Sequence, residues 1–153
     1  MILILMGSKS DLVFSKKIAK TLDEFGVKYE LKVASAHKTP EIVLETIKEY
    51  EKKHDDLVFI TVAGRSNGLS GTVAANTVKP VIACPPIEDN ATYLVDIHSS
   101  LRMPGGAPAM TVISPENAAL AAVKILSLSD KKLAKKVEDN IKANKDMIKN
   151  TVL

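Results

Sequence analysis

The residues richest in chemistry are Ser35-Ala36-His37-Lys38-Thr39-Pro40, which set hydroxyls, an imidazole and an ammonium just after an apolar run and just before a helical pattern. An imidazole with an unperturbed pKa of about 6.5 passes protons at neutral pH, and an adjacent ammonium can hold a phosphate or a carboxylate. A strand-to-helix connection lets such side chains project into a cleft while rigid elements behind them hold the geometry. The competing reading of His37 is a cap on the helix that Pro40 opens.

A second stretch, Gly7-Ser8-Lys9-Ser10-Asp11, places two hydroxyls and free backbone N–H groups at the start of a helix. That is an anion site by geometry and dipole, and an Asp at such a position can accept from paired sugar hydroxyls. The stretch is neither a Walker loop nor a dinucleotide fingerprint, because the required glycines and their spacing are missing. Its bland alternative is a helix N-cap at Ser10 or Asp11. A third stretch runs Ala63-Gly64-Arg65-Ser66-Asn67-Gly68-Leu69-Ser70-Gly71. Among nineteen Lys the chain has two Arg, Arg65 and Arg102, both in Gly-containing loops. The planar guanidinium fork suits carboxylate or phosphate in a way Lys does not, so both are candidates for anion recognition, with a structural salt bridge as the alternative. His54, in a charged helix end, and His98, on a weak helix, are set aside. No His, Cys or carboxylate spacing suggests zinc, and no acidic loop suggests magnesium, so no metal is expected. Cys84, at the end of an apolar strand before two prolines, reads as a buried spectator thiol.

The elements that position these loops alternate. Ile2 to Met6 is a short strand; Leu12, Ile18, Ala19, Leu22 and Phe25 fall at helical spacing; Gly26 stops that helix, and Val27 to Val33 alternates as a half-buried strand. Pro40 opens a helix carrying Ile42, Val43, Ile47 and Tyr50, and Leu57 to Val62 is the clearest central strand. A short Ala-rich helix over 70 to 77, a strand from Pro80 to Cys84, a weaker helix from Thr92 to Ser99 and a strand from Met110 to Ile113 follow. Ser114-Pro115-Glu116 then starts a helix, apolar on several faces from Asn117 to Leu126, that should be buried. This βα alternation implies one α/β domain with a parallel sheet, whose ligands sit beyond the carboxyl ends of the strands, where all three polar loops lie. From Asp130 onward Leu133, Val137, Ile141 and Ile148 draw a narrow apolar stripe on a long helix. The division is a catalytic domain over 1–128 and a C-terminal helix over 129–153 that is expected to pack on a neighbouring subunit, with docking on its own domain as the alternative.

Composition bounds the functions open to this architecture. The chain has 153 residues, 46% hydrophobic and 25% charged, which is one domain able to bury a core. Its formal charge of +3 comes from the tail: residues 124–153 hold eight Lys against four acidic residues, leaving 13 basic against 14 acidic before them. A near-neutral catalytic part with six aromatics argues against a nucleic-acid surface. The single Cys fits a reducing cytosol, so a cytoplasmic location is expected. The apolar opening, Met1 to Met6, is too short for a membrane span and lacks the charged flank of a signal peptide, so no membrane partner is expected.

Six blocks then carry a family resemblance: Gly7-Ser8-Lys9-Ser10-Asp11, Ser35 to Pro40, Ala63 to Leu69, Pro80 to Pro86, Ser99-Ser100-Leu101-Arg102-Met103-Pro104 and Asn117-Ala118-Ala119. Together, in this order and spacing, they resemble the phosphoribosylaminoimidazole carboxylase family of purine biosynthesis. The bacterial mutases of that family, which isomerise N5-carboxyaminoimidazole ribonucleotide (N5-CAIR), carry a longer Gly/Ala-rich third loop with a His before Leu-Pro-Gly. This chain lacks that His, has Lys38 where they usually have Arg, and has Arg102 where they usually have Gln. These departures resemble the second class, carboxy-lyases that join 5-aminoimidazole ribonucleotide (AIR) directly to carbon dioxide to give its 4-carboxylate (CAIR) without ATP; the mutase is the alternative.

The resemblance implies a flavodoxin-like three-layer α/β/α sandwich with a parallel five-stranded sheet and an appended C-terminal helix, no cofactor, and a homo-oligomer that is an octamer in the family. The tail's stripe is equally compatible with a dimer or a tetramer. It further implies Ser8, Ser10, Ser35 and Lys38 on the substrate phosphate, Asp11 on the ribose hydroxyls and His37 as the proton carrier. To these the sequence reading adds Gly64, Arg65, Ser66, Asn67, Gly68, Leu69 and Arg102 as the group enclosing carbon dioxide or the carboxylate.

Overall fold

The computed structural model describes residues 1–86 and 90–151. Five strands, β1 (Ile2–Met6), β2 (Tyr29–Val33), β3 (Val58–Val62), β4 (Val81–Ala83) and β5 (Met110–Thr111), form one all-parallel sheet in the order β2-β1-β3-β4-β5. The α-helices of the described residues are α1 (Leu12–Phe25), α2 (Pro40–Lys53), α3 (Gly68–Ala75), α4 (Asn90–Leu101), α5 (Pro115–Ser127) and α6 (Lys131–Lys149).

The central strands are apolar throughout because both sheet faces are covered. Ile2, Ile4 and Met6 of β1, with Val58, Ile60 and Val62 of β3, pack on one face with Ile18, Ala19 and Leu22 of α1 and Ala118, Ala119, Ala122 and Val123 of α5. The intervening Leu3, Leu5 and Phe59 face the other layer, among Val43, Ile47 and Tyr50 of α2 and Leu69 and Val73 of α3. The period of two thus feeds two cores, and each buried Leu, Ile or Phe contributes roughly 1.5–3 kcal/mol. The small residues of α5 bring it close to α1, and their burial agrees with the buried helix expected over Asn117 to Leu126.

Boundaries differ from expectation where backbone caps take residues out of the ladder. β2 starts at Tyr29 rather than Val27, because Gly26 adopts a left-handed φ of 67° and the Val27 N–H then donates to the Leu22 carbonyl, closing α1. α3 starts at Gly68, two residues before the Ala-rich run, because Asn67 caps it by accepting from Ser70 N–H. β5 ends at Thr111, although Val112 N–H still donates to the Ala83 carbonyl. α6 is capped by Asp130, whose carboxylate accepts from Lys132 and Leu133 N–H. Leu133 and Val137 dock the first half of α6 on this chain's own core, beside Phe25 and Leu126, whereas Met147 and Ile148 further along are exposed. Among the described residues no helix is long and apolar enough to cross a membrane.

Candidate functional site

With β1 and β3 adjacent and β2 outside β1, the chain turns in opposite directions after β1, and a crevice opens beyond the carboxyl ends of these strands. A cleft of about 310 Å³ lies there, lined by Gly7, Ser8, Ser10, Asp11, Ser35, Ala36, His37, Lys38, Ala63, Gly64, Arg65, Ser66, Gly68 and Leu69. All three loops therefore meet in one space, and their roots continue the sheet. Gly7 N–H donates to the Val62 carbonyl and Ala34 N–H to the Met6 carbonyl, each at 2.9 Å. The two loops approach closely at this crossing: a Cβ on Gly7 would lie 3.1 Å from Ala63 Cβ and push them apart by a few tenths of an ångström.

The first loop makes a 3₁₀ turn, Lys9–Asp11, ahead of α1. Ser8 caps it: its Oγ accepts from Ser10 N–H at 3.3 Å, and Asp11 Oδ2 accepts from Ser8 N–H at 2.8 Å. The capping and binding readings are thus not exclusive. The cap consumes part of Ser8 and Asp11 while turning both toward the cleft, with the Ser10 hydroxyl donating to Ser8 Oγ at 3.0 Å. A ligand phosphate would take that hydroxyl proton in place of Ser8.

The second loop is tied to itself. Ser35 N–H donates to Thr39 Oγ1 at 3.1 Å, Thr39 N–H to the Ser35 carbonyl at 2.8 Å, and Lys38 N–H to Ser35 Oγ at 3.3 Å. The capping role considered for His37 falls to other atoms: Thr39 is the N-cap residue of α2, Pro40 opens that helix, and the Thr39 carbonyl accepts from Ile42 and Val43 N–H. The imidazole lies over the bare Cα of Gly68, where an added Cβ would fall 2.8 Å from His37 Nε2 and 3.2 Å from Cε1. Gly68 has an ordinary backbone conformation, so what is needed there is space and not a glycine φ.

The third loop turns on Arg65, the one described non-glycine residue with positive φ, at 54°. Such a backbone costs of order 1–3 kcal/mol and persists only where its surroundings hold it. Here they do so through hydroxyls and one amide. Ser99 Oγ accepts from Asn67 N–H at 2.9 Å and donates to the Arg65 carbonyl at 2.8 Å, with the Asp96 carbonyl a second acceptor at 2.7 Å. Beneath this, Asn67 Nδ2 donates to Ser70 Oγ (2.7 Å) and Ser100 Oγ (2.9 Å), and Ser70 Oγ lies 2.8 Å from Thr61 Oγ1. Asn67, Ser70, Ser100 and Thr61 are all buried.

Of the thirteen site residues expected from sequence, His37, Ser8, Ser10, Ser35, Lys38, Asp11, Gly64, Arg65, Ser66, Gly68 and Leu69 line the cleft, and Asn67 and Arg102 do not. Asn67 points its amide into the protein. Arg102 follows α4, with its N–H on the His98 carbonyl, and its side chain is exposed outside this cleft. Thr61, Ser70, Ser99 and Ser100 received no individual role from sequence. Their signal is a hydroxyl in an otherwise apolar strand and two adjacent hydroxyls ending a helix. Cys84 is fully buried, and burial, with the Glu116 charge adding to it, pushes its thiol up to about 12, so it stays protonated and unreactive. Among the described residues no three His, Cys, Asp or Glu side chains gather as metal ligands. The cleft presents Lys38 and Arg65 against Asp11, a balance that favours an anion with a hydroxyl-bearing neighbour.

Comparison with known proteins places this geometry. A phosphoribosylaminoimidazole carboxylase of Archaeoglobus fulgidus is 60% identical over 134 residues, covering 88% of this chain and 73% of that protein. One from Treponema denticola is 45% identical over 148 residues, covering 97% and 92%. A crystal structure of Treponema denticola PurE superposes with a TM-score of 0.92 at 45% identity, covering 96% of this chain and 92% of that one. The five-stranded parallel sheet is accordingly the flavodoxin-like sandwich expected from the sequence. The family model described as AIR carboxylase matches residues 1–147, and the chain belongs to the AIR carboxylase family.

Proposed function

We propose that this enzyme is an AIR carboxylase, a carboxy-lyase of purine biosynthesis that reversibly adds carbon dioxide to C4 of AIR to give CAIR without ATP. The observation that carries this reading is the meeting in one cleft of two hydroxyl-rich loops, one of which brings Lys38 to it, and a histidine seated on a glycine. Ser8, Ser10, Ser35 and Lys38 hold the substrate phosphate and Asp11 the ribose hydroxyls, fixing the aminoimidazole over the third loop. AIR is an electron-rich enamine, so its C4 attacks the carbon of carbon dioxide, and one C=O electron pair moves onto oxygen as the new carboxylate. C4 is then tetrahedral and carries a proton that must leave to restore the aromatic ring. His37 accepts it. In reverse, His37 protonates C4, the C–C bond breaks and carbon dioxide departs.

Gly64, Arg65, Ser66, Gly68 and Leu69 surround the carboxylate and keep bulk water from the carbon dioxide, with the Arg65 guanidinium as counter-charge. Asn67 serves this loop from behind. Arg102, outside the cleft of a single chain, reaches a carboxylate only if a neighbouring copy supplies the surface between them. A homo-oligomer, octameric as in the family, is therefore part of this proposal. It is supported by the exposed Leu94, Val95 and Leu101 of α4 and by Met147 and Ile148 at the far end of α6, the helix that then bridges from the domain over 1–128 to the neighbour. Its single buried thiol fits a cytoplasmic enzyme.

The test is His37→Asn, assayed with AIR plus bicarbonate and with N5-CAIR. Nucleotide binding within about threefold of wild type, with AIR turnover lower by roughly 10²–10⁴, is expected of a lost proton carrier. Near-normal turnover of AIR, or wild-type protein that consumes only N5-CAIR, rejects the proposal.

A further inference from the structure

Asn67 stands in the middle of the third loop, yet its side chain faces away from the cleft and is 4% exposed. Its amide group uses both N–H protons, on Ser70 Oγ and Ser100 Oγ, and its Oδ1 accepts from Ser70 N–H at 3.2 Å. The main chain on either side is held separately: Asn67 N–H reaches Ser99 Oγ, and Ser99 Oγ in turn binds the Arg65 carbonyl. One residue thus joins three elements, the end of β3 through Ser70 and Thr61, the start of α3 as its N-cap, and the last turn of α4 through Ser99 and Ser100. The tie spans the turn at which Arg65 takes its unfavourable positive φ. Gly68, the platform under His37, is the next residue in the chain.

We propose that Asn67 is a positioning residue for carboxylation. It clamps the Arg65 turn to α4 and so sets, before substrate arrives, both the Arg65 and Ser66 side chains and the Gly68 surface on which His37 rests. Only an amide provides two donors and an acceptor at this site. A carboxylate there would bury a charge, and a hydroxyl, with a single O–H, could donate to only one of the two serine oxygens. Among the described residues the hydroxyls of Ser8, Ser10 and Ser35 bond within their own loops and not to this network, so the clamp governs the chemical step and leaves nucleotide binding alone. The inference rests on the carboxylase reading above, and its test carries a readout independent of turnover.

That readout is cleavage by an arginine-specific protease, whose sites in this chain are Arg65 and Arg102. Wild type, Asn67→Ala and Ser99→Ala are compared in steady-state AIR carboxylation at saturating bicarbonate, scaled to folded protein by circular dichroism, and in the rate of cutting after Arg65. Asn67→Ala is expected to lower kcat at least about tenfold while the KM for AIR stays within about threefold, the pattern of an interaction realised in the transition state. Cutting after Arg65 should accelerate about tenfold or more as the turn opens. Ser99→Ala removes the outer tie and leaves the buried amide in place, so the same pattern is expected at about threefold, and this variant decides the matter if Asn67→Ala does not fold. A kcat for Asn67→Ala within about twofold of wild type per folded molecule, or a KM for AIR that rises in step with the fall in kcat, overturns the proposal. If wild type fails to turn over AIR, the carboxylase reading falls by itself. The protease then decides the clamp: faster cutting after Arg65 in the variants supports it, and unchanged cutting overturns it.

Discussion

Gly68→Ala isolates the support of the imidazole proposed to carry the proton from the rest of the site. The new Cβ would lie 2.8 Å from His37 Nε2, 3.2 Å from Cε1 and 3.5 Å from Cδ2, so it meets the Nε2 edge of the ring. Opening the shortest contact to the ~3.5 Å of ordinary nonbonded approach moves Nε2 by about 0.7 Å. His37 is exposed and its ring can swing away, so the cost falls on catalytic geometry and little on folding. A misplacement of this size is expected to lower kcat about 10–100-fold, because proton transfer requires hydrogen-bond reach to C4. Gly68 is the first residue of α3 and its φ is not positive, so alanine should leave the melting temperature unchanged or slightly raised. Gly71→Ala is the matched control: its Cβ would meet Met103 Sδ at 3.0 Å, the movable end of a flexible side chain away from His37. Carboxylation and decarboxylation rates with melting curves on both variants form the assay. A Gly68→Ala kcat within about twofold of wild type would refute the argument that the glycine seats the imidazole, as would an equal loss in Gly71→Ala.

Lys38→Met should raise the KM for AIR roughly tenfold and flatten its dependence on salt, as expected for loss of a charge-assisted phosphate contact; an unchanged salt dependence measured between low and high ionic strength removes Lys38 from the phosphate site. Leu133→Ala should cost about 2–4 kcal/mol and lower the melting temperature by roughly 5–10 °C, because the side chain is buried where α6 docks on α1 and α5. A shift below about 2 °C would mean that this helix does not depend on its own domain. Tyr50 is held up to about 12 by burial first, then by its hydrogen bond to the Glu30 carboxylate and the nearby Glu30 and Glu49 charges. With a folded value above the unfolded value near 10, it contributes stability that is complete below about pH 10 and is lost as pH rises toward about 12. Melting curves across that window should therefore fall less steeply for Tyr50→Phe than for wild type, and equal slopes would contradict the shift.

Most of the fold was legible because each central strand reports its environment directly. Ile2 to Met6 and Leu57 to Val62 are apolar on both faces, which only a doubly covered sheet requires, and Gly26, Pro40 and Ser114 mark helix boundaries by known backbone preferences. The cleft loops were legible for a related reason: Ser8, Ser35, His37, Lys38 and Arg65 are polar residues concentrated where strands end. What could not be read was direction. Asn67 has the composition of a site residue, and its amide faces inward only because Ser70 and Ser100 converge on it, the latter 33 positions away. Arg102 likewise stands in a Gly-rich loop, but its placement depends on where α4 ends relative to the cleft. The strand begins at Tyr29 and not at Val27 because a helix terminator spends the amide of Val27 before the strand can use it.

The hydrogen bonds from Gly7 and Ala34 to the last carbonyls of neighbouring strands have a thermodynamic consequence. Residues so attached lose their backbone freedom when the sheet forms, a cost of roughly 1–2 kcal/mol each that falls on folding and not on association. Under the proposed function, a nucleotide entering this cleft would order few main-chain torsions, leaving more of its phosphate contact energy to hold the substrate's aminoimidazole within reach of carbon dioxide.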